Sequence, residues 1–322
     1  MPGPGHRFFL VFRDASATLV HEEEIKDLAS LWQDVVFPAV CAGELPNDGR
    51  WGPVTVEPDF ADGKLSGVTV GVAGVCRSYG LSIFADRAWE TLLHRGLIKD
   101  ADTEETTLRW KLEVRVGTDG PARRRLAASV TPHPFPLLRR PLSDFGITER
   151  ARHEPFSLFI CSRLFSELRE ESANSLERER ANFLTGHLAQ EPEGPVAVVA
   201  LDRIPADVDT TSSAVHFSFS PLTFQSARQE LERRGTDQRI VGWAHNHPPQ
   251  CGRECLMTIP ACKTENVFCS IADRSVHRAS FAAPYMVAFI AGKGAHRGPD
   301  DPLVRAYQWR AGLIRESTFS VF

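Results

Sequence analysis

Apolar and polar residues alternate most cleanly between positions 107 and 116. Leu108, Trp110, Leu112, Val114 and Val116 interleave with Arg109, Lys111, Glu113 and Arg115. A period of two marks a half-buried strand, so this segment is predicted as one. Gly117-Thr118-Asp119-Gly120 then offers a turn back. Earlier in the chain, 8–13 reads as a strand. Ile25, Leu28, Leu31, Trp32 and Val35 recur at helical spacing and predict a helix over 22–36. Segments 68–75 and 81–84 read as short strands, and 89–99 as a helix.

The pattern is interrupted between 131 and 155. Pro132, Pro134, Pro136, Pro141 and Pro155 fall in this stretch, and repeated prolines oppose regular structure. The reading is therefore an N-terminal mixed α+β domain over 1–135, a Pro/Arg-rich linker over 136–151 and a C-terminal domain over 152–322. The run Arg123-Arg124-Arg125 is taken as a solvated face.

The C-terminal half is predicted element by element. A strand over 156–160 precedes a helix whose buried face carries Cys161, Leu164, Phe165, Leu168, Ser172 and Leu176. Strands follow at 182–188, 196–204 and 214–219. Ser220 before Pro221 signals a helix start, and Gly235 its end near Arg234. A strand over 239–247, a short helix from Ser270 and strands at 285–291 and 304–314 complete the reading. The fold class is α/β in the broad sense, with α and β mixed.

Composition narrows the function classes. The chain has 322 residues, 42% hydrophobic and 24% charged, with a formal net charge of -4. Nothing here points to nucleic acid or an anionic membrane. No segment approaches the roughly 20 apolar residues of a membrane span, and no signal-peptide pattern is found. Seven cysteines in no even, disulfide-type pattern suit reduced thiols and a cytoplasmic location. Arginine outnumbers lysine among the basic residues, which hints at a bacterial genome.

The chemistry lies in three short segments. The strand over 239–247 ends His245-Asn246-His247-Pro248. Side chains two apart on a strand share a face, so both imidazoles can grip one metal ion. Catalytic zinc takes three protein ligands and keeps a position for water. Ser270-Ile271-Ala272-Asp273 supplies a carboxylate, with Ser270 and Asp273 on one face of a first helical turn. Asp273 is thus a candidate ligand and the Ser270 hydroxyl a candidate oxyanion donor. Glu179, opening a strand, is the candidate base for water; Glu171 and Glu177 are the nearby alternatives.

Glu179 with Gly186 seven residues later, then His245-Asn246-His247-Pro248, then Ser270-Ile271-Ala272-Asp273, resembles the signature of the JAMM (MPN-type) zinc metalloprotease family. The resemblance covers about half the chain, 156–314. It implies a central, mostly antiparallel sheet flanked by helices, with zinc on His245, His247 and Asp273. It further implies Glu179 as general base and acid, and Ser270 as oxyanion donor. The activity implied is hydrolysis after the C-terminal glycine of a ubiquitin-like protein or its conjugates. Deubiquitinase-like members of bacterial ubiquitin-like conjugation operons, which act against phage, are the nearest analogy. The alternative reading is a non-catalytic MPN scaffold or binding module. A third reading makes the N-terminal domain, otherwise of unassigned role, a substrate- or partner-recognition module.

One departure is specific. The family's Ser stands eight residues after the second His, where this chain has Cys255. The motif is recovered across an insertion at 249–269 that carries Cys251, Cys255, Cys262 and Cys269. Four thiols so placed suit either a second, structural zinc or reduced cysteines packed as small hydrophobes.

Overall fold

The structure, a computed structural model, describes residues 6–25, 28–98, 108–116, 134–148, 156–175, 178–190, 196–206, 219–248, 265–294 and 301–322. They form a mixed α+β protein. The chain divides into two compact units, Met1–Phe135 with Ala311–Leu313, and Pro136–Arg310 with Ile314–Phe322.

The first unit carries β1 (His6–Arg13), β2 (Leu19–Ile25), α1 (Trp32–Cys41), β3 (Val54–Ala61), β4 (Lys64–Val72), β5 (Val75–Gly80), α2 (Ala85–His94) and β6 (Arg109–Val116). Two antiparallel three-stranded sheets result, ordered β2-β1-β6 and β3-β4-β5. Phe8, Leu10 and Phe12 of β1 share one face by strand alternation. They pack with Leu112 of β6, Val35 of α1, Val68 and Val70 of β4, and Ala88 and Leu92 of α2.

Sequence periodicity misplaced four elements here. The strand expected over 68–75 crosses the turn at Ala73 and Gly74 that joins β4 to β5. The expected helix over 22–36 starts only at Trp32, after a 3-10 turn over Leu28–Leu31. Its first part is β2, because Glu22, Glu23 and Glu24 pair along β1 opposite Val11, Leu10 and Phe9. The expected strand over 81–84 is a 3-10 turn. Short apolar runs do not distinguish strand from helix by period alone. The second helix starts at Ala85 rather than at 89, and Gly96 at φ 64 follows its end.

The second unit carries β7 (Leu137–Arg139), β8 (Ser157–Ile160), α3 (Ser162–Asn174), β9 (Ala181–Gln190), β10 (Val196–Pro205), α4 (Pro221–Arg234), β11 (Arg239–Asn246), α5 (Ile271–Ser280), β12 (Val287–Gly292), β13 (Leu303–Arg310), β14 (Leu313–Ser317) and β15 (Ser320–Val321). One nine-stranded sheet runs β14-β13-β12-β11-β9-β10-β8-β15, with β7 paired to β9. It is mixed. β9 is antiparallel to β10 and β11, and β12 to β13. β11 runs parallel to β12, and β8 parallel to β10 and β15.

Alternation along β12 separates the two faces. Phe289 meets Phe319, which in turn meets Phe165 of α3. Ala288 and Ile290, on the opposite face, join Ala227 of α4, Phe281 after α5, and Phe183 and Trp243. Helices therefore cover both faces of the sheet. Among the described residues no helix is long and apolar enough to cross a membrane.

Residues 136–148 are not the linker expected from their prolines. Leu137–Arg139 pairs with Leu188, Ala189 and Gln190 of β9, and Leu142 and Ile147 are buried against Phe159 and Val199. Pro136 and Pro141 flank the short strand, where a missing N–H costs little. The strand expected over 304–314 is a hairpin, turning at Ala311 (φ 50) and Gly312 (φ 76). The expected strand at 214–219, the turn at 117–120 and Arg123-Arg124-Arg125 lie outside the described residues, save Phe219, which is not in a strand.

Candidate metal centre

Strand β11 lies between β9 and β12, so its backbone is held on both sides. It pairs with β12 up to Asn246 opposite Ala291, and the His247 N–H donates to the Ala291 carbonyl at 2.8 Å. Pro248 follows, and a residue without an N–H cannot extend the ladder. The two histidines thus project from the last rungs of a buried strand. Their Nε2 atoms lie 2.8 Å apart.

Register brings the glutamate to them. Ala181 of β9 is the partner of His245 in an antiparallel pair. Glu179, two residues upstream on the same side, therefore comes level with His247. The ligand atoms of Glu179, His245 and His247 all lie within 4.8 Å of one another. Glu171 is not at this point. Its carboxylate accepts from the Asn182 amide at 2.8 Å and pairs with Arg203. Glu177 lies outside the described residues.

Helix α5 delivers the second carboxylate. Ser270 and Asp273 form a reciprocal capping box, as a Ser or Thr with a carboxylate three residues on can do. The Asp273 N–H donates to Ser270 Oγ at 3.1 Å, and the Ser270 N–H donates to Asp273 Oδ2 at 2.7 Å. The cap fixes the carboxylate, whose Oδ1 sits 3.2 Å from His245 Nε2 and Oδ2 3.4 Å from His247 Nε2. Ser270 Oγ accepts within the cap, so its own O–H remains to donate elsewhere.

Three further residues shape the site, and no motif spacing announced them. His247 Nδ1 lies 2.6 Å from the Asn266 carbonyl oxygen. That contact places the proton on Nδ1 and leaves the Nε2 lone pair for a ligand bond. The Asn266 side chain also donates to the carbonyls of His247 and Pro248 and accepts from the Lys293 N–H. Trp243 stacks on the His245 ring, with centroids 4.8 Å apart and planes 13° off parallel. The Trp243 indole donates to His277 Nδ1 at 2.9 Å.

Burial sets the charges. It pushes the Glu179 carboxyl up to about 7; His247 opposes this and Asp273 adds to it. Burial also lowers His245, against the pull of Asp273. Burial works to raise Asp273, but His245 and His247 outweigh it and hold that carboxyl below the usual carboxylate range. A metal cation among these groups would draw Glu179 back toward the ionised form.

The donor set fits zinc. Two imidazole Nε2 atoms and a carboxylate converge at a buried point, with one ring's tautomer fixed by a backbone carbonyl. These side chains are of the kinds that could hold a metal ion. Cys269 belongs elsewhere. It is buried in the aromatic core with Phe183, Trp243 and Phe281, and among the described residues no metal-type cluster includes it. Cys251, Cys255 and Cys262 lie outside the described residues.

His277 carries a pH signature. Its ring is fully buried, and burial pushes its pKa down to about 3. The unfolded chain takes up this proton near the ordinary value of 6.5, while the native state refuses it. Between those values the unfolded state binds more protons, so native stability falls as pH drops through the window. His277→Gln keeps an acceptor for the indole and removes the titration. Urea denaturation midpoints followed from pH 7 downward should fall less steeply in this variant than in the parent chain. Equal slopes would show that His277 titrates normally.

No protein-family model matches this chain, and no curated protein matches it. Among solved structures the chain is similar to the solution structure of protein DSY2949 from Desulfitobacterium hafniense. The identity is 16% and the TM-score 0.35, over 51% of this chain and 92% of that one.

Proposed function

We propose that this protein is a zinc-dependent isopeptidase or peptidase of the JAMM (MPN-type) class, cleaving after the C-terminal glycine of a ubiquitin-like protein. One observation carries the reading. Glu179, His245, His247 and Asp273 come from three separate segments and meet at one buried point. Their order along the chain resembles the family signature, with Ser270 and Asp273 displaced by the insertion at 249–269.

In this reading His245, His247 and Asp273 hold zinc. When bound, the metal polarises a scissile carbonyl and lowers the pKa of water toward about 7. Glu179 takes a proton from the attacking water and returns it to the leaving amine, the role of a carboxylate whose ionised form a bound cation favours. The Ser270 O–H donates to the oxyanion that develops on the carbonyl. Removing one such donor typically costs about 10²–10³ in turnover. Phe268, exposed and with its ring 5.6 Å from that of His247, offers an apolar wall beside the site. An extended tail ending in glycine could lie against it.

The test uses the full chain loaded with zinc. The probes are ubiquitin and any ubiquitin-like protein encoded beside this gene, each amide-linked through its terminal glycine to a fluorogenic amine. Release of the fluorophore, abolished by a chelator and restored by zinc, is the expected result. A zinc-loaded chain that cleaves none of them would favour the scaffold reading.

A further inference from the structure

Asn246 sits between the two histidines, where strand alternation turns its side chain to the opposite face of β11. It is buried, 3% exposed, and its side chain bonds to the stretch from the end of α3 to Arg180, which carries Glu179. Its side-chain oxygen accepts from the Arg180 N–H at 2.7 Å. Its side-chain nitrogen donates to the carbonyls of Ser175 at 3.0 Å and Arg178 at 3.3 Å. Its backbone N–H donates to the Arg180 carbonyl at 3.2 Å. The rung of the β9–β11 ladder beyond Ala181 and His245 is thus completed by a side chain in place of a backbone carbonyl.

The consequence is geometric. Glu179 lies before β9 begins, in a segment with no regular hydrogen bonding of its own. Asn246 binds it on either side, at Arg178 and Arg180, and also the end of α3 at Ser175. The residue that fixes the base therefore stands on the same strand as His245 and His247, between them. The base and two ligands are held by three consecutive residues of one rigid element, as a precisely placed site requires.

We propose that Asn246 is a positioning residue that sets the Glu179 carboxylate against the metal position. This rests on the zinc hydrolase reading. Hydrophobic replacement of Asn246 releases the Arg180 N–H and frees the glutamate to wander, without removing any ligand. The neighbouring backbone bond from Asn246 to Arg180 survives the change.

Acetohydroxamic acid, a zinc-binding probe whose acidic proton a nearby carboxylate can take, reads the position of Glu179 without any substrate. Its affinity for the zinc-loaded full chain is measured by calorimetry for the parent, Asn246→Ala, Glu179→Ala and the double variant, with zinc content determined for each. Asn246→Ala should keep stoichiometric zinc and bind the probe about tenfold more weakly, the lower end of the effect of losing a positioning hydrogen bond at a metal site. On the Glu179→Ala background the same substitution should change nothing, because the two residues act as one unit. Asn246→Asp keeps the acceptor for Arg180 and should retain protection of that amide from hydrogen exchange, which Asn246→Ala loses.

Equal weakening in both backgrounds, or unchanged affinity in Asn246→Ala, would overturn the proposal. Should Asn246→Ala fail to fold, the cycle is run with the near-isosteric Asn246→Leu, which also lacks the acceptor for the Arg180 N–H: weakening confined to the background that keeps Glu179 supports the proposal, and unchanged affinity or equal weakening in both backgrounds overturns it. Failure of the parent chain to bind zinc is a separate result, and it removes the hydrolase reading along with this proposal.

Discussion

Glu179→Ala, loaded with zinc, is expected to lose at least about 10²-fold in turnover, within the 10²–10⁴ that general acid–base catalysis supplies. It should retain its metal and its fold. The separation follows from the site. Glu179 is level with His247 by register, but two imidazoles and Asp273 remain to hold the ion without it. The Glu179 carboxyl is only partly buried, and replacing it with Ala removes its desolvation cost along with the charge, so the fold should hold. Turnover is measured with the fluorogenic glycine-linked probes, and zinc by elemental analysis of the same sample. Loss of zinc with loss of turnover would make Glu179 a ligand. Undiminished turnover with zinc retained would remove it from the base's role.

The second large effect is on stability. Gly186→Ala is expected to destabilise the native state by about 3 kcal/mol or more, the upper range for overpacking. A Cβ on Gly186 would sit 1.9 Å from the Val199 carbonyl oxygen and 3.0 Å from its carbonyl carbon. Both are backbone atoms of the neighbouring strand, so no side-chain rotation relieves the clash. Gly186 lies beside the irregularity between Ala200 and Asp202, where β10 shifts register against β9. Gly242 is in the same position on β11, 2.0 Å from the Val287 oxygen. Gly80→Ala is the control. A Cβ there meets nothing within 4 Å, and its effect should stay within about 0.5 kcal/mol. Chemical denaturation of the three proteins decides the matter. Similar values for Gly186→Ala and Gly80→Ala would contradict this account of the sheet.

Gly186 shows how the sequence carried its information. The spacing from Glu179 to Gly186 was usable as a motif, yet its physical reason is a close approach between strands that no single-strand pattern reveals. Local signals were legible. Ser220, Pro221 and Gly235 bound α4 as expected, because caps and backbone preferences act within one turn. Ser270 and Asp273 likewise show their capping box in the spacing. The alternation of 107–116 gave β6 because one of its faces is buried.

Non-local pairing was not legible. Glu22, Glu23 and Glu24 became a strand only because β1 offered a partner. Leu137–Arg139 became one because β9 had an unpaired edge beyond the reach of β11. The site divides the same way. Two histidines two apart on a strand share a face by local geometry alone. That Glu179 comes level with His247 depends on register. That Asn246 and Asn266 hold the surrounding backbone depends on long-range contacts between segments far apart in sequence.

Metal content of the purified full chain, measured by elemental analysis beside His245→Ala, tests the central claim most directly, because it needs no substrate. The account predicts about one zinc per chain, lost in the variant. No metal after zinc is supplied during purification, or a zinc that survives His245→Ala in full, would contradict a catalytic centre built on His245, His247 and Asp273.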